Sequence, residues 1–203
     1  MKRMMRAGKG LWLVLAVVVV LALVVSSADA QQTKAAKKSF KQITIEQIED
    51  IDNPEAGFKV DLWVDRQDAT YKVGDQIVFY FKASKDCRLT LFNVGTSGKV
   101  AIIFPNDHHK DNAVKAGMEY RIPAKDAKYL FRAQGPVGED VVKAIATLEK
   151  VALVSESDCK PAEGGFQEVT KSEGQFAKDI GIALKPVDTK NWSEAENIIK
   201  IVE

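Results

Sequence analysis

The sequence predicts an all-β protein, an immunoglobulin-like antiparallel β-sandwich with a C-terminal helix and a final strand docked on it. Six or seven short apolar or alternating stretches follow one another at roughly ten-residue intervals after residue 57. Glycine and proline residues, which allow tight turns or end strands, separate these stretches. This combination is typical of two packed antiparallel sheets.

The first 30 residues are predicted to be a signal peptide. Basic residues precede an unbroken apolar run at 11–25, and Ala28-Asp29-Ala30 supplies the small residues of a cleavage site. About 15 apolar residues suit a signal peptide and are few for a membrane span, although an uncleaved anchor is the alternative. We therefore expect an exported protein, periplasmic or secreted, that begins at Gln31 and has no stable membrane span after cleavage.

Composition limits the remaining possibilities. The predicted mature chain is long enough for one domain with a sizeable core and short for two. The full chain has a formal net charge of +1, and removal of the signal peptide leaves about −2. Because such a chain has no overall positive field to attract nucleic acid, nucleic acid is not expected as a partner.

Residues 31–57 are predicted to be a linker with a possible short helix. Isoleucine recurs every three residues between positions 45 and 51, and an Asn-Pro stop follows at 53–54. An extended lead-in at 43–45 remains open because apolar and polar residues alternate there.

The sandwich domain is predicted at 58–154, and its first strand shows the pattern most clearly. Residues 58–65 alternate without a fault, with Phe58, Val60, Leu62 and Val64 on the core side. Trp63 then falls on the polar side. We expect the C-terminal segment, with Phe176 and Trp192, to cover it; if it is exposed instead, the indole is a candidate for binding peptide or glycan.

The strands that follow are each bounded by a turn, a polar loop or a proline. A tight Gly-containing loop at 95–98 predicts a hairpin, and Pro105 ends its second strand. The segment at 141–154 has some helical propensity, but its β-branched residues favour a strand. The expected strands are 76–83, 87–94, 99–104, 118–122, 129–133 and 141–154.

Residues 155–203 are predicted to be a C-terminal extension packed on the sandwich. A loop at 155–165 leads to a helix at 166–185, where Phe176, Ile180 and Leu184 recur at i, i+4 and i+8. Residues 197–202 are expected to form the final strand.

Seven short pieces occur in a characteristic order between residues 58 and 152. They are YKVGD at 71–75, LTLFNV at 89–94, IFPN at 103–106, DNAVKAG at 111–117, IP at 122–123, GPVG at 135–138 and VKAIAT at 142–147. In order and spacing they resemble the bacterial domain-of-unknown-function family 4384. The resemblance implies an exported β-sandwich accessory domain. It brings no catalytic residues, because the family carries no established activity.

The polar loop at 106–112 concentrates possible metal ligands. Asp107, His108, His109 and Asp111 offer the imidazole and carboxylate groups that zinc or calcium prefers. However, EF-hand spacing is absent, adjacent histidines point differently, and Lys110 adds a repelling charge. We therefore expect a solvated turn, with no metal and no other cofactor.

Two cysteines, Cys87 and Cys159, are the candidate pair for a disulfide. An even cysteine count in an exported chain favours one bond, and the alternative is two buried thiols that never meet.

No catalytic residue can be chosen from the sequence. It contains no nucleophile elbow, phosphate-binding loop, zinc-protease motif or dinucleotide fingerprint. We therefore expect a non-enzymatic binding or accessory module of the cell envelope that recognises a protein or envelope component. The alternative is a periplasmic hydrolase-type enzyme or metal-binding protein that uses His108 and His109.

Overall fold

The computed structural model describes residues 47–203. A helical turn at 47–49 comes before thirteen strands, three short 3-10 turns and helix α1 (Glu173–Leu184). The strands are β1 (Val60–Val64), β2 (Thr70–Lys72), β3 (Gln76–Ile77), β4 (Phe79–Ala83), β5 (Cys87–Val94), β6 (Val100–Phe104), β7 (Ala113–Val114), β8 (Glu119–Ile122), β9 (Phe131–Arg132), β10 (Gly138–Thr147), β11 (Cys159–Pro161), β12 (Gln167–Val169) and β13 (Trp192–Val202).

These elements form two packed sheets with a helix on the outside. The small sheet has the order β1-β4-β8, and the large sheet has the order β11-β12-β6-β5-β10-β13-β2, with β7 also paired to β5. Strands β3 and β9 pair separately. The described pairs are antiparallel except β2–β13, which is parallel. The predicted all-β sandwich is confirmed.

Alternating side chains fill the space between the two sheets. Strand β5 directs Cys87, Leu89 and Leu91 into this core, as its pattern predicts. A bulge in β6 shifts its register against β5, so that the consecutive residues Ile103 and Phe104 both enter the same core. Phe79 and Phe81 of β4 are fully buried opposite them.

Helix α1 covers the other face of the large sheet. Ser172 caps it by accepting a backbone N–H of the first turn. Phe176, Ile180 and Leu184 are buried, which confirms the predicted apolar stripe. The Phe176 ring meets Phe92 of β5 edge-on, with ring centroids 5.0 Å apart.

Several predicted boundaries differ from the structure. The single strand expected at 76–83 is divided at Val78, whose N–H donates to the Asp65 carboxylate at 2.9 Å. Consequently β3 pairs with β9, and β4 joins the small sheet. Strand β10 ends at Thr147, so residues 148–154 leave the sheet.

The C-terminal extension also contains more strand than predicted. The segment at 166–185 begins as β12 in the large sheet, and its helix starts only after Ser172. The final strand is β13, which runs beside β10 for ten residues and lies within the large sheet instead of being docked on it. The helix, by contrast, packs on the sandwich as expected.

The predicted signal peptide and most of the predicted linker lie outside the described residues. Of the possible helix at 40–51, the described part is the turn at 47–49. Within residues 47–203, no helix is long and apolar enough to cross a membrane.

Candidate functional site

Trp63 lies on the outer face of the small sheet. Its indole stacks on the cross-strand residue Tyr80, with ring centroids 5.6 Å apart and planes 7° apart. Both side chains are half-buried. Arg121 continues the row on β8, and its Nε donates to the Tyr80 hydroxyl at 3.3 Å. The result is a continuous aromatic and cationic row across three strands.

A shallow hollow opens beside Trp63. Its lining combines an aromatic surface with polar groups from Asp65, Arg66, Gln67 and Asn197. The Asn197 Oδ1 atom is buried and has no hydrogen-bond partner among residues 47–203. The hollow therefore offers a stacking surface bordered by polar groups, with the Asn197 oxygen buried beside it.

The rim of this hollow is held by its own hydrogen bonds. The Arg66 guanidinium donates to the Asp75 carboxylate at 2.7 Å and to the Thr70 carbonyl at 2.8 Å. It also lies 4.5 Å from the centre of the Tyr71 ring. Burial, followed by the hydrogen bond from its hydroxyl to Asp65, raises the pKa of Tyr71. These contacts fix the loop before any ligand is bound.

The C-terminal segment does not cover Trp63 as expected. Phe176, Ile180, Leu184 and Trp192 belong to the cluster on the other face of the large sheet. These side chains are buried there because the outer face of the large sheet, under the helix, is apolar. The extension reaches the hollow through Asn197 of β13 instead.

The loop with both histidines is a tight turn organised by Asn106. Its Oδ1 accepts the backbone N–H groups of His108 and His109, each at 2.9 Å. The His108 ring stacks on Tyr129 at 3.8 Å, and its Nε2 lies 3.2 Å from the Gly164 carbonyl oxygen. His108 therefore joins this loop to the C-terminal extension.

The other candidate ligands point elsewhere. The His109 ring lies near Phe104 at 6.3 Å, and the Asp111 carboxylate accepts from Arg88 at 2.5 Å. Asp107 contacts the extension through its backbone N–H. Between residues 47 and 203, no group of three or more His, Cys, Asp or Glu side chains could hold a metal ion.

The proposed disulfide between Cys87 and Cys159 is a wrong prediction, because both cysteines are free. Cys87 lies in the core between the sheets, and Cys159 packs against the cluster under the helix. Their strands, β5 and β11, are three strand spacings apart in the large sheet. That separation is about 14 Å, far beyond the reach of a disulfide.

The structure also contains a polar cleft that sequence reasoning missed. Asn93 and Asp140 line it and are only 7% and 4% exposed. The Asp140 carboxylate accepts from the Thr96 N–H at 2.6 Å, the Thr96 hydroxyl at 2.7 Å and the Asn93 amide nitrogen at 3.2 Å. Because a carboxylate only accepts, the Asn93 nitrogen faces Asp140, and its oxygen has no partner among the described residues.

The walls of the cleft come from three parts of the chain. The 95–98 hairpin loop forms one side, residues 130–135 form another, and residues 162–168 close it. Leu130, Phe131 and Phe166 supply apolar surface. The cleft encloses about 90 Å³, which suits one side chain or a small group.

A sequence signal for this cleft existed. Along β5, Asn93 is in phase with the core residues Leu89 and Leu91. Along β10, Asp140 is in phase with Val142 and Ala144. Asn93 pairs with Val142, two residues from Asp140, so the buried rows of both strands become polar near the same end of the sheet. Such a change marks the end of the core and the beginning of a polar site.

The comparisons with known proteins support the family resemblance. The family described as Domain of unknown function (DUF4384) matches residues 70–150, which include β2 to β10. No curated protein and no solved structure matches the chain. The match confirms the resemblance inferred from the sequence: residues 70–150 are similar to the DUF4384 family.

Proposed function

We propose that this protein is an exported, non-enzymatic binding module of the bacterial cell envelope, periplasmic or secreted, that recognises a protein or envelope component. The observation that carries the proposal is the Trp63–Tyr80 stack on the outer face of the small sheet. Tryptophan and tyrosine dominate binding surfaces because they bury a large area at a small cost in conformational entropy.

The surroundings of the stack support the same function. The row ends in Arg121, and the hollow beside it carries polar groups on a hydrogen-bonded rim. A ligand that stacks on the indole can therefore form directional hydrogen bonds without ordering the loop first. The catalytic alternative gains no such support, since the His108 ring stacks on Tyr129 and the His109 ring lies near Phe104.

The test is co-sedimentation of the protein with purified cell-wall sacculi and with outer-membrane vesicles. Trp63→Ala and Tyr80→Ala are expected to weaken binding more than tenfold, as loss of an interface hot spot does. The control is Ile182→Ala, which removes a side chain that is 60% exposed on α1, away from the stack.

Loss of a cross-strand aromatic pair alone costs roughly 0.2 to 1 kcal/mol, so circular dichroism and thermal melting should show both variants folded. Equal sedimentation of the wild type, Trp63→Ala and Ile182→Ala would contradict the proposal. The stack would then be only a cross-strand contact that stabilises the small sheet.

A further inference from the structure

We propose that the polar cleft beside Asn93 and Asp140 is a second binding site, which accepts a lysine side chain of a protein partner. Two acceptor atoms beside the cleft have spare capacity within residues 47–203. Asn93 Oδ1 is buried and finds no donor there, and Asp140 Oδ2 accepts a single hydrogen bond there, from Asn93 at 3.2 Å. An ammonium group, which only donates, satisfies both atoms at once.

The charge of the lining favours a cation. Three carboxylates and two basic side chains surround the cleft: Asp140, Glu163, Glu168, Lys99 and Arg132. Glu168 is paired with Lys160 at 2.8 Å and with Lys99 at 3.4 Å, and Arg132 donates to the Gly74 carbonyl at 2.8 Å. The carboxylates left for a cation are therefore Asp140 and Glu163, since no ion pair of either is found among residues 47–203.

The apolar walls fit an unbranched aliphatic stem. Leu130 is 39% exposed at the mouth, while Phe166 is 3% exposed deeper in the protein. A lysine buries its methylene groups along apolar surface while its ammonium reaches a polar end. The volume of about 90 Å³ admits one such side chain and is too small for a nucleotide or an oligosaccharide.

Part of this site lies outside the span that matches the family. Glu163 and Phe166 lie beyond residues 70–150, the span that matches the family. The Asn93–Asp140 pair comes from the family domain, whereas the residues that close the cleft come from the C-terminal extension. Residues of the extension therefore determine which side chain can enter the cleft.

The experiment is an NMR titration of the full mature chain with Nα-acetyl-lysine methylamide. The control probe is Nα-acetyl-norleucine methylamide, which has an unbranched aliphatic side chain but no ammonium group. We expect the lysine probe, but not the norleucine probe, to shift the side-chain amide resonances of Asn93 and the backbone amide of Thr96. Binding should weaken at high salt because an ion is recognised.

Two variants and one control separate binding from folding. Asn93→Leu removes the acceptor, and the affinity for the lysine probe is expected to fall about tenfold or more, as for loss of a hydrogen bond to a charged group. Glu163→Lys changes an exposed side chain and should also weaken binding without affecting the fold. Asn197→Leu is the matched control, because it removes an amide oxygen that also has no partner within residues 47–203 but lies outside this cleft.

The outcomes are distinct. Equal shifts from the two probes, or unchanged lysine binding in both Asn93→Leu and Glu163→Lys, would overturn the lysine site. Trp63→Ala should leave the lysine probe bound, since Trp63 is not part of this cleft. Failure of envelope binding at Trp63 and failure of lysine binding at Asn93 are therefore separate results.

Discussion

Lys143 is a buried cation, and its removal should destabilise the protein strongly. Its side chain is 2% exposed, and its Nζ lies 3.1 Å from Glu196 and 3.4 Å from Glu194, both on the neighbouring strand β13. It also donates to the Glu49 carbonyl at 3.3 Å, which ties the turn at 47–49 to the large sheet. Lys143→Met keeps most of the volume and removes the charge.

The expected loss is about 3 kcal/mol at neutral pH, the lower end of the range for breaking a buried ion pair. The lower end applies because Glu194 and Glu196 keep 19% and 25% of their side-chain surface exposed. For a chain of this size, that loss corresponds to a fall of roughly 6 to 12 °C in Tm. Urea unfolding followed by circular dichroism measures the change directly.

The pH dependence distinguishes the charge effect from lost packing. Burial raises the pKa of Glu194, Lys143 lowers it, and Asp52 and Glu196 raise it. Without Lys143, the folded-state pKa rises further above the unfolded value, so the folded state binds the additional proton. Such a group contributes stability at low pH that is lost as the pH rises through the folded pKa. The deficit of Lys143→Met should therefore shrink as the pH falls toward the ordinary glutamate range.

A triple variant provides the second control. Replacing Glu194 and Glu196 by glutamine in the Lys143→Met background removes the unpaired charges, and we expect it to recover much of the lost stability. A deficit of the same size at neutral and acidic pH, with no recovery in the triple variant, would refute the electrostatic explanation. The loss would then come from packing alone.

Three further predictions concern other parts of the fold. When protein from an oxidising compartment is unfolded without reductant, a thiol reagent should detect two free thiols, and a count of zero would show that Cys87 and Cys159 are bonded after all. In the folded protein, Cys87 should react slowly, because burial raises its pKa to about 11. Gly138→Ala should destabilise by about 1 to 3 kcal/mol, since φ is +147° and the added Cβ would lie 2.6 Å from Thr96 Cγ2; unchanged urea unfolding would contradict this. Phe176→Ala should cost about 3 to 5 kcal/mol because its ring is 3% exposed against Phe92; a smaller loss in the same assay would mean that α1 contributes little to the fold.

The strands of the core were predictable because their pattern is local. Strand β5 occupies the predicted residues, and the Phe176–Ile180–Leu184 stripe is buried. The division of the strand at 76–83 was not predictable, because it depends on the Val78 N–H donating to Asp65, thirteen residues earlier in the chain. The register shift in β6 likewise depends on its pairing with β5.

The two candidate sites differ in how far the sequence revealed them. Trp63 was visible because alternation placed one large aromatic on a polar side, but its partner Tyr80 comes from another strand. The disulfide prediction failed because an even number of cysteines does not show how far apart Cys87 and Cys159 lie in the fold. The cleft was missed because its walls combine three segments that are distant in sequence. The local indication was Asn93, a polar residue in phase with the core residues of β5.

One cross-strand row links the two proposed binding surfaces. In the large sheet, Val142 of β10 pairs with Asn93 of β5 on one side and with Asn197 of β13 on the other. Each asparagine has a buried amide oxygen with no partner in the described part of the chain, Asn93 at the cleft and Asn197 at the hollow beside Trp63. An unsatisfied buried acceptor costs about 1 to 3 kcal/mol. A leucine at position 197 would avoid that cost, whereas a leucine at position 93 would also remove the hydrogen bond to the buried Asp140 carboxylate. If ligands donate to these oxygens, binding offsets the cost at both ends of the row, and Asn197→Leu should then stabilise the free protein while Asn93→Leu should not.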